Sequence, residues 1–245
     1  MASYKTSGIV LSSINFGEAD KILTVMTERF GKVKVIAKGI RKIKSHLAGS
    51  LEPFMLDELQ FHEGRTFFTA TGAMILNDFP NIHSDLKKTA RAFFLGEIVD
   101  KFVEENQPAP KIFVLLQEAL KALENNSREI MLRSFELKIV EAAGFKPELY
   151  ECVHCKESIT IDDNFWDPVE GGVICLECQN KFHHGKEISD GAIKFFRFIE
   201  KNSLDSIYRL KLDQKIENEA ETIMTAYVNN ILEKELKSRH FMKMI

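Results

Sequence analysis

A change of hydrophobic period near residue 80 constrains this chain more than any other feature. From about Lys5 to about Phe79 the runs "SGIVLSSINF", "DKILTVMTERFG", "KVKVIAKG", "FMLDELQFHEG" and "RTFFTATGAMIL" are short, rich in Ile, Val, Phe and Thr, and bounded by turn residues. That is the pattern of β-strands. "HEGR" reads as the hairpin tip between the last two. Five strands in so short a stretch fit a small closed or nearly closed barrel, of which the OB-fold is the common five-stranded form.

Beyond "NDFPNIHSD" the apolar residues recur every three or four positions, as along the buried stripe of a helix. Leu86, Ala90, Phe93, Phe94, Ile98, Phe102 and Val103 define the first, which "ENQPAP" breaks. A second carries Ile112, Leu115, Leu116, Ala119 and Leu123. A third is expected to start at Ser127 as cap, to bury Ile130, Phe135, Ile139 and Val140, and to stop at Gly144 with Pro147 beyond. Between Glu151 and Phe182 periodicity vanishes. It returns in "SDGAIKFFRFIEKN" and in one long stretch, "DQKIENEAETIMTAYVNNILEKELKSR", through Ile216, Ile223, Tyr227, Ile231 and Leu236.

The aperiodic segment holds all the cysteines. Cys152 and Cys155 in "CVHC", and Cys175 and Cys178 in "CLEC", are separated by nineteen residues, inside the window typical of zinc sites. Each pair folds two thiolates onto one side of a turn, and two turns make the tetrahedral set that Zn²⁺ accepts. A closed set of four thiolates leaves no open position, so the expectation is one structural Zn²⁺, with disulfides, a redox pair or a vacant site as alternatives. His154, His183 and His184 are possible substitute ligands, although surface positions suit them better. Asp162, Asp163 and Asp167 in "TIDDNFWD" read as an acidic solvated loop rather than an oxygen-ligand site, and Trp166 is expected to pack under the insert.

Charge is unevenly spread in a chain whose formal net charge is -3. Arg29, Lys32, Lys34, Lys38, Arg41, Lys42 and Lys44 fall in a run without an acid between Glu28 and Glu52. In "KVKVIAK" the alternation turns Val33, Val35 and Ala37 inward and Lys32, Lys34, Ile36 and Lys38 outward. A solvated face usually mixes signs, so an acid-free run of cations points to a polyanion. Beside a small barrel it forms the electrostatic half of a single-strand groove; Tyr4, Phe16, Phe61 and Phe68 are candidates for the stacking half. Most of the nineteen Phe must be core. There is no P-loop, no G-x-G-x-x-G, no H-E-x-x-H and no G-x-S-x-G, which weighs against an enzyme. No apolar run has the length of a membrane span and the N-terminus lacks a signal pattern, so a cytoplasmic location without membrane contact is expected.

"GIVLSSINFGEADKILTVMTERFGKVKVIAKGIRKIKSHLAGSLEPF", with its "GEADKILT", "AKGIRKIKS" and "LAGSLEPF" and the later cysteine pairs, resembles the bacterial recombination mediator family RecO. The order of parts matches over essentially the whole chain. The resemblance implies an α+β multidomain protein: an N-terminal OB-fold β-barrel at 1–80 and a helical domain at 81–150 and 183–245, with an inserted four-cysteine zinc element at 151–182. It further implies a non-enzymatic, nucleoid-associated mediator of the RecFOR pathway in DNA repair. Such proteins bind single- and double-stranded DNA, anneal complementary strands, associate with RecR, contact the C-terminal tail of the single-strand binding protein and help to load RecA. Carried over by position, the DNA contacts are Lys38, Arg41, Lys42 and Lys44, flanked by Arg29, Lys32 and Lys34. No small-molecule substrate is implied. The rival readings are a zinc-containing nucleic-acid-processing enzyme and an RNA-binding OB-fold accessory factor.

Overall fold

The computed structural model describes residues 3–126, 128–160, 163–207 and 209–245. The chain forms two compact units, one of Met1–Asn126 with Lys237–Ile245, the other of Ser127–Leu236.

In the first unit β1 (Ser3–Phe16), β2 (Asp20–Thr27), β3 (Gly31–Ala37), β4 (Leu56–His62) and β5 (Phe68–Asn77) close a barrel in the order β1-β2-β3-β5-β4. This is the five-stranded OB architecture that the sequence pattern predicts. Its neighbours are antiparallel except at a short parallel seam, where Val35 lies opposite Phe68 and Ile36 opposite Thr69. β1 serves two partners, with Ser3 to Ile9 on β4 and Gly8 to Phe16 on β2. An irregularity between Val10 and Ser12 bends it from one to the other, as a bulge does. Val33, Val35 and Ala37 are fully buried and meet Val10, Leu23, Val25, Leu59 and Phe61 inside.

Two turns show why particular residues are needed. Gly31 has φ +67°, and a Cβ there would fall 1.7 Å from the carbonyl oxygen of Gln107, so the β2–β3 turn tolerates only glycine. In "LAGSLEPF", Leu51 and Phe54 also take left-handed φ values, 63° and 67°, at a cost of about 1–2 kcal/mol each for a non-glycine residue. Burial offsets that cost. Leu51 joins the barrel core, Phe54 packs edge-on against Phe93 with centroids 4.9 Å apart, and the Phe54 N–H donates to the Val10 carbonyl at 2.8 Å.

The same unit continues with α1 (Pro80–Ser84), α2 (Leu86–Phe102) and α3 (Pro110–Asn125). Asp85 caps α2, accepting from the N–H groups of Lys87 and Lys88, which satisfies donors a helix start leaves free. Ala90, Phe94, Ile98 and Val103 are buried as the spacing predicts, whereas Leu86 and Phe93 remain exposed.

The second unit contains α4 (Glu129–Ala142), β6 (Asn164–Asp167), β7 (Gly172–Cys175), α5 (Leu176–Phe182), β8 (Lys186–Ile188), α6 (Asp190–Lys201), α7 (Leu204–Ile207) and α8 (Gln214–Leu232). The Ser127 cap expected for α4 lies outside the described residues, as does Asp162; Arg128 occupies the N-cap position. Instead of one buried stripe, α4 is buried all round from Ile130 to Leu137. Arg133 and Glu136 are enclosed with it, their charged atoms 2.8 Å apart. The segment that lacks periodicity is not structureless, since β6 pairs with both β7 and β8. Trp166 lies in the middle strand, edge-on to Tyr227 of α8 with centroids 5.4 Å apart and tilted against Phe196 of α6 at 6.3 Å.

The long C-terminal helix expected from spacing is broken. α8 stops at Glu233, which has φ 53°, and α9 (Lys237–Met242) belongs to the first unit. There the Glu97 carboxylate of α2 accepts from the N–H groups of Lys237 and Ser238, and the Arg239 guanidinium lies 5.0 Å over the Phe94 ring. A capping carboxylate at a helix start is favourable because it meets free N–H groups and the positive end of the dipole. Among the described residues no helix is long and apolar enough to cross a membrane.

Candidate nucleic-acid interface and metal centre

The segment after β3 is wound into consecutive turns and fastened to the β1–β2 hairpin. The Gly39 N–H donates to Asp20 Oδ1 at 2.7 Å and the Arg41 N–H to the Ala19 carbonyl at 2.9 Å. Within the loop Lys42 N–H donates to Gly39, Ser45 to Lys42 and Ala48 to Ser45. Gly39, at φ +65°, supplies the left-handed residue that starts the winding. Ile40 and Leu47 are drawn into the barrel core, which leaves Lys38, Arg41, Lys42 and Lys44 on the exterior. Among the described residues none of those four carries an ion pair.

The other cations of the run lie elsewhere, so the outward stripe expected along β3 is corrected. Lys32 is buried at 7% exposure; its ammonium donates to the Asp100 carbonyl at 2.5 Å and to Asp100 Oδ1 at 3.2 Å. Lys34 donates to Thr24 Oγ1 at 2.8 Å and lies 3.7 Å from Glu105. The cause is that residues after α2 run alongside this half of β3. Lys32 and Glu105 form a parallel bridge, and the Asn106 N–H donates to the Lys32 carbonyl at 2.8 Å. Burial opposes ionisation of Asp100, yet Lys32 and Lys101 hold its carboxyl below the ordinary range. Arg29 is exposed, 5.7 Å over the Phe30 ring, but at the opposite end of β3 from the loop, roughly 20 Å along the strand.

Among the aromatic candidates, Phe61 is fully buried. Tyr4 and Phe68 pack with it and Phe30 in a ring cluster. Phe16 is 49% exposed, on the hairpin to which the basic loop is tied. Ile14, two residues before it on the same face of β1, is exposed as well.

A buried carboxyl braces the far end of the loop. Asp57 on β4 is fully buried; its Oδ2 accepts the Leu51 N–H at 3.2 Å, while Oδ1 has no partner. Burial pushes its pKa up to about 6, against the pull of the Leu51 hydrogen bond. A carboxyl raised on folding binds its proton more tightly in the native state, so this site destabilises the fold progressively as pH rises from about 4 through about 6. Asp57→Asn, which keeps an acceptor for Leu51, is expected to remove that slope. Relative to the parent it gains on the order of 2–3 kcal/mol between pH 4 and pH 8, read as slower hydrogen exchange of β1 and β4 amides at the higher pH. An equal pH dependence in the two proteins would contradict the assignment.

In the second unit the Sγ atoms of Cys152, Cys155, Cys175 and Cys178 all lie within 4.8 Å of one another. Cys155 and Cys175 approach to 3.7 Å, and the Cys175 N–H points at the Cys152 sulfur at 3.5 Å. Burial raises the cost of a thiolate at Cys152, but the N–H groups of Cys155, Cys175 and His154 bring its pKa down to about 6. Cys178, by contrast, is pushed up to about 12 by burial and by its neighbouring thiols. A divalent cation at the centre of the four sulfurs relieves that competition, since each becomes a ligand thiolate. The donor set therefore fits a closed, all-sulfur metal site. His154 stacks on Phe182 with ring centroids 4.6 Å apart, and His183 and His184 are exposed. None of the three belongs to the cluster.

Family models for the Recombination protein O N terminal and the Recombination protein O C terminal match residues 1–79 and 83–240. A DNA repair protein RecO of Dehalococcoides mccartyi (strain 195) is 37% identical over 236 residues, covering 96% of this chain and 93% of its own length. Those of Roseiflexus sp. (strain RS-1) and Thermoanaerobacter sp. (strain X514) are 32% and 31% identical, each across 98% of this chain, and over 84% and 97% of their own lengths. Matched by both family models and by relatives across nearly its whole length, the chain belongs to the RecO family of DNA repair proteins.

Proposed function

We propose that this protein is a non-enzymatic recombination mediator of the cytoplasm. It holds single-stranded and duplex DNA through Lys38, Arg41, Lys42 and Lys44, anneals complementary strands, and with RecR helps to load RecA onto strands covered by the single-strand binding protein. The observation that carries this reading is the loop itself: four exposed cations without an ion pair among the described residues, on a hydrogen-bonded turn fastened to the barrel. Lys32 and Lys34 contribute only to the local fold of the barrel unit, and Arg29 is a peripheral contact. Phe16, on the adjoining hairpin, is the aromatic face for a base.

The mechanism is electrostatic. Exposed Lys and Arg displace counterions from phosphates, and neutralising two strands at once lowers the repulsion that keeps them apart. No base needs to be read, because backbone contacts position a strand without specifying its sequence. The metal is Zn²⁺, and the chemistry it supplies is a cross-link between the two cysteine turns. For the acidic-then-apolar tail of the single-strand binding protein, the groove of about 490 Å³ between α2 and α9 is suited. Phe93, Phe241, Lys101 and Lys237 line it, and the two acids of its wall are already engaged, Glu97 by the start of α9 and Asp100 by Lys32 and Lys101.

Strand annealing of complementary oligonucleotides, bare and coated with the single-strand binding protein, tests the proposal. Acceleration of both reactions is expected. No acceleration of either would overturn it, and a preference for structured RNA over single-stranded DNA at matched salt would replace it with the RNA-binding reading.

A further inference from the structure

The basic loop exposes more than charge. Ile40, Ile43 and Leu47 recur along its winding, yet only the first and last enter the barrel core, at 5% and 8% exposure. Ile43 between them is 102% exposed, flanked in sequence by Lys42 and Lys44 and preceded by Arg41. Single apolar side chains on a surface are ordinary. This one differs in how it is held. The hydrogen bond from Lys42 to Gly39 closes a turn just before it and that from Ser45 to Lys42 closes a turn around it, and Ile40 and Leu47 anchor the loop to the core on both sides. An isoleucine kept in water on a hydrogen-bonded turn, with cations as its chain neighbours, is placed where phosphates would bring a base stack against it.

We propose that Ile43 is an apolar wedge that enters between adjacent bases of the strand held by the surrounding cations. The inference rests on the DNA-binding reading above. Apolar side chains of this size separate base steps in other nucleic-acid complexes, at a cost that is lower in a single strand than in a duplex. Here the phosphate contacts supply the offsetting attraction. The consequence suits a protein that pairs strands: unstacking presents a base edge outward, where a complementary strand can meet it. The wedge reads no sequence, because every base has an apolar face.

The test uses the full-length protein and oligonucleotides carrying 2-aminopurine, which brightens when unstacked. With wild type at saturation the fluorescence of the single strand is expected to rise severalfold. Ile43→Ser should abolish the rise, weaken binding by about five- to tenfold and leave the salt dependence of affinity unchanged. Ile43→Phe should restore the signal. Since Ile43 is fully exposed, thermal melting of both variants should match wild type. If Ile43→Ser gives the full fluorescence rise while binding remains salt-dependent, the wedge is wrong and the DNA reading stands. If wild type itself shows no salt-dependent binding, both are wrong.

Discussion

Cys178→Ser, and equally Cys152→Ser, is expected to strip the metal from the protein and unfold the segment between Cys152 and Cys178. The reason is that little else holds that segment. Around the sulfurs the buried apolar material is essentially Ile174, with Val153, Ile159 and Phe165 partly covered, and among the described residues of the segment only Val173 and Trp166 add to it, too few side chains to offset the entropy of ordering some thirty residues. Structural zinc in finger peptides contributes about 10–16 kcal/mol, so a site with three sulfurs loses most of what keeps β6 and β7 paired. Elemental analysis should fall from one equivalent of metal to near none. Hydrogen exchange should become fast from residue 150 to 188 while β1 to β5, in the other compact unit, keep their protection. A Cys178→Ser protein that still holds a stoichiometric metal with unchanged exchange would show that the cluster is not the ligand set. Cobalt substitution adds an independent reading: four thiolates give an intense tetrahedral spectrum, and an exchangeable water in it would reopen the case for catalysis at the metal.

The second large effect concerns the loop. Replacing Lys38, Arg41, Lys42 and Lys44 together with Ala should reduce the slope of log affinity against log salt for single-stranded DNA. Each lost phosphate contact removes about 0.7, hence close to 3 for the four. Lys32→Ala should change that slope little, because its ammonium already serves Asp100, and should instead destabilise the barrel unit. The contrast between the two variants separates a DNA contact from a fold contact. An unchanged slope in the quadruple variant would remove the loop from the binding surface.

How much of this was readable beforehand depends on which interactions are local. The barrel was legible because strands with period two announce which residues go inside, and Val33, Val35 and Ala37 do. The cysteine site was legible because the geometry of each C-x-x-C turn is a property of four consecutive residues. Lys32 and Lys34 defeated the same alternation: an outward position on a strand is solvent only if nothing covers it, and residues 100–106 do. The acids that mark this cover, Asp100, Glu104 and Glu105, stand just where the helix breaks, some seventy residues away. Arg133 and Glu136 were invisible as core for a similar reason, since each alone argues for a surface and only their pairing permits burial. The break at Glu233 has no glycine or proline to announce it.

The amino-acid order by itself therefore determined the barrel, the main helices before the C-terminal break, the clustering of the four cysteines and the existence of an acid-free basic run, because periodicity, turn chemistry and cysteine spacing act over a few residues. Tertiary structure decided which cations of that run are available to a partner, which aromatic stays exposed, and that an isoleucine is held out in water. Those outcomes depend on what distant parts of the chain cover, and burial is a property of neighbours in space.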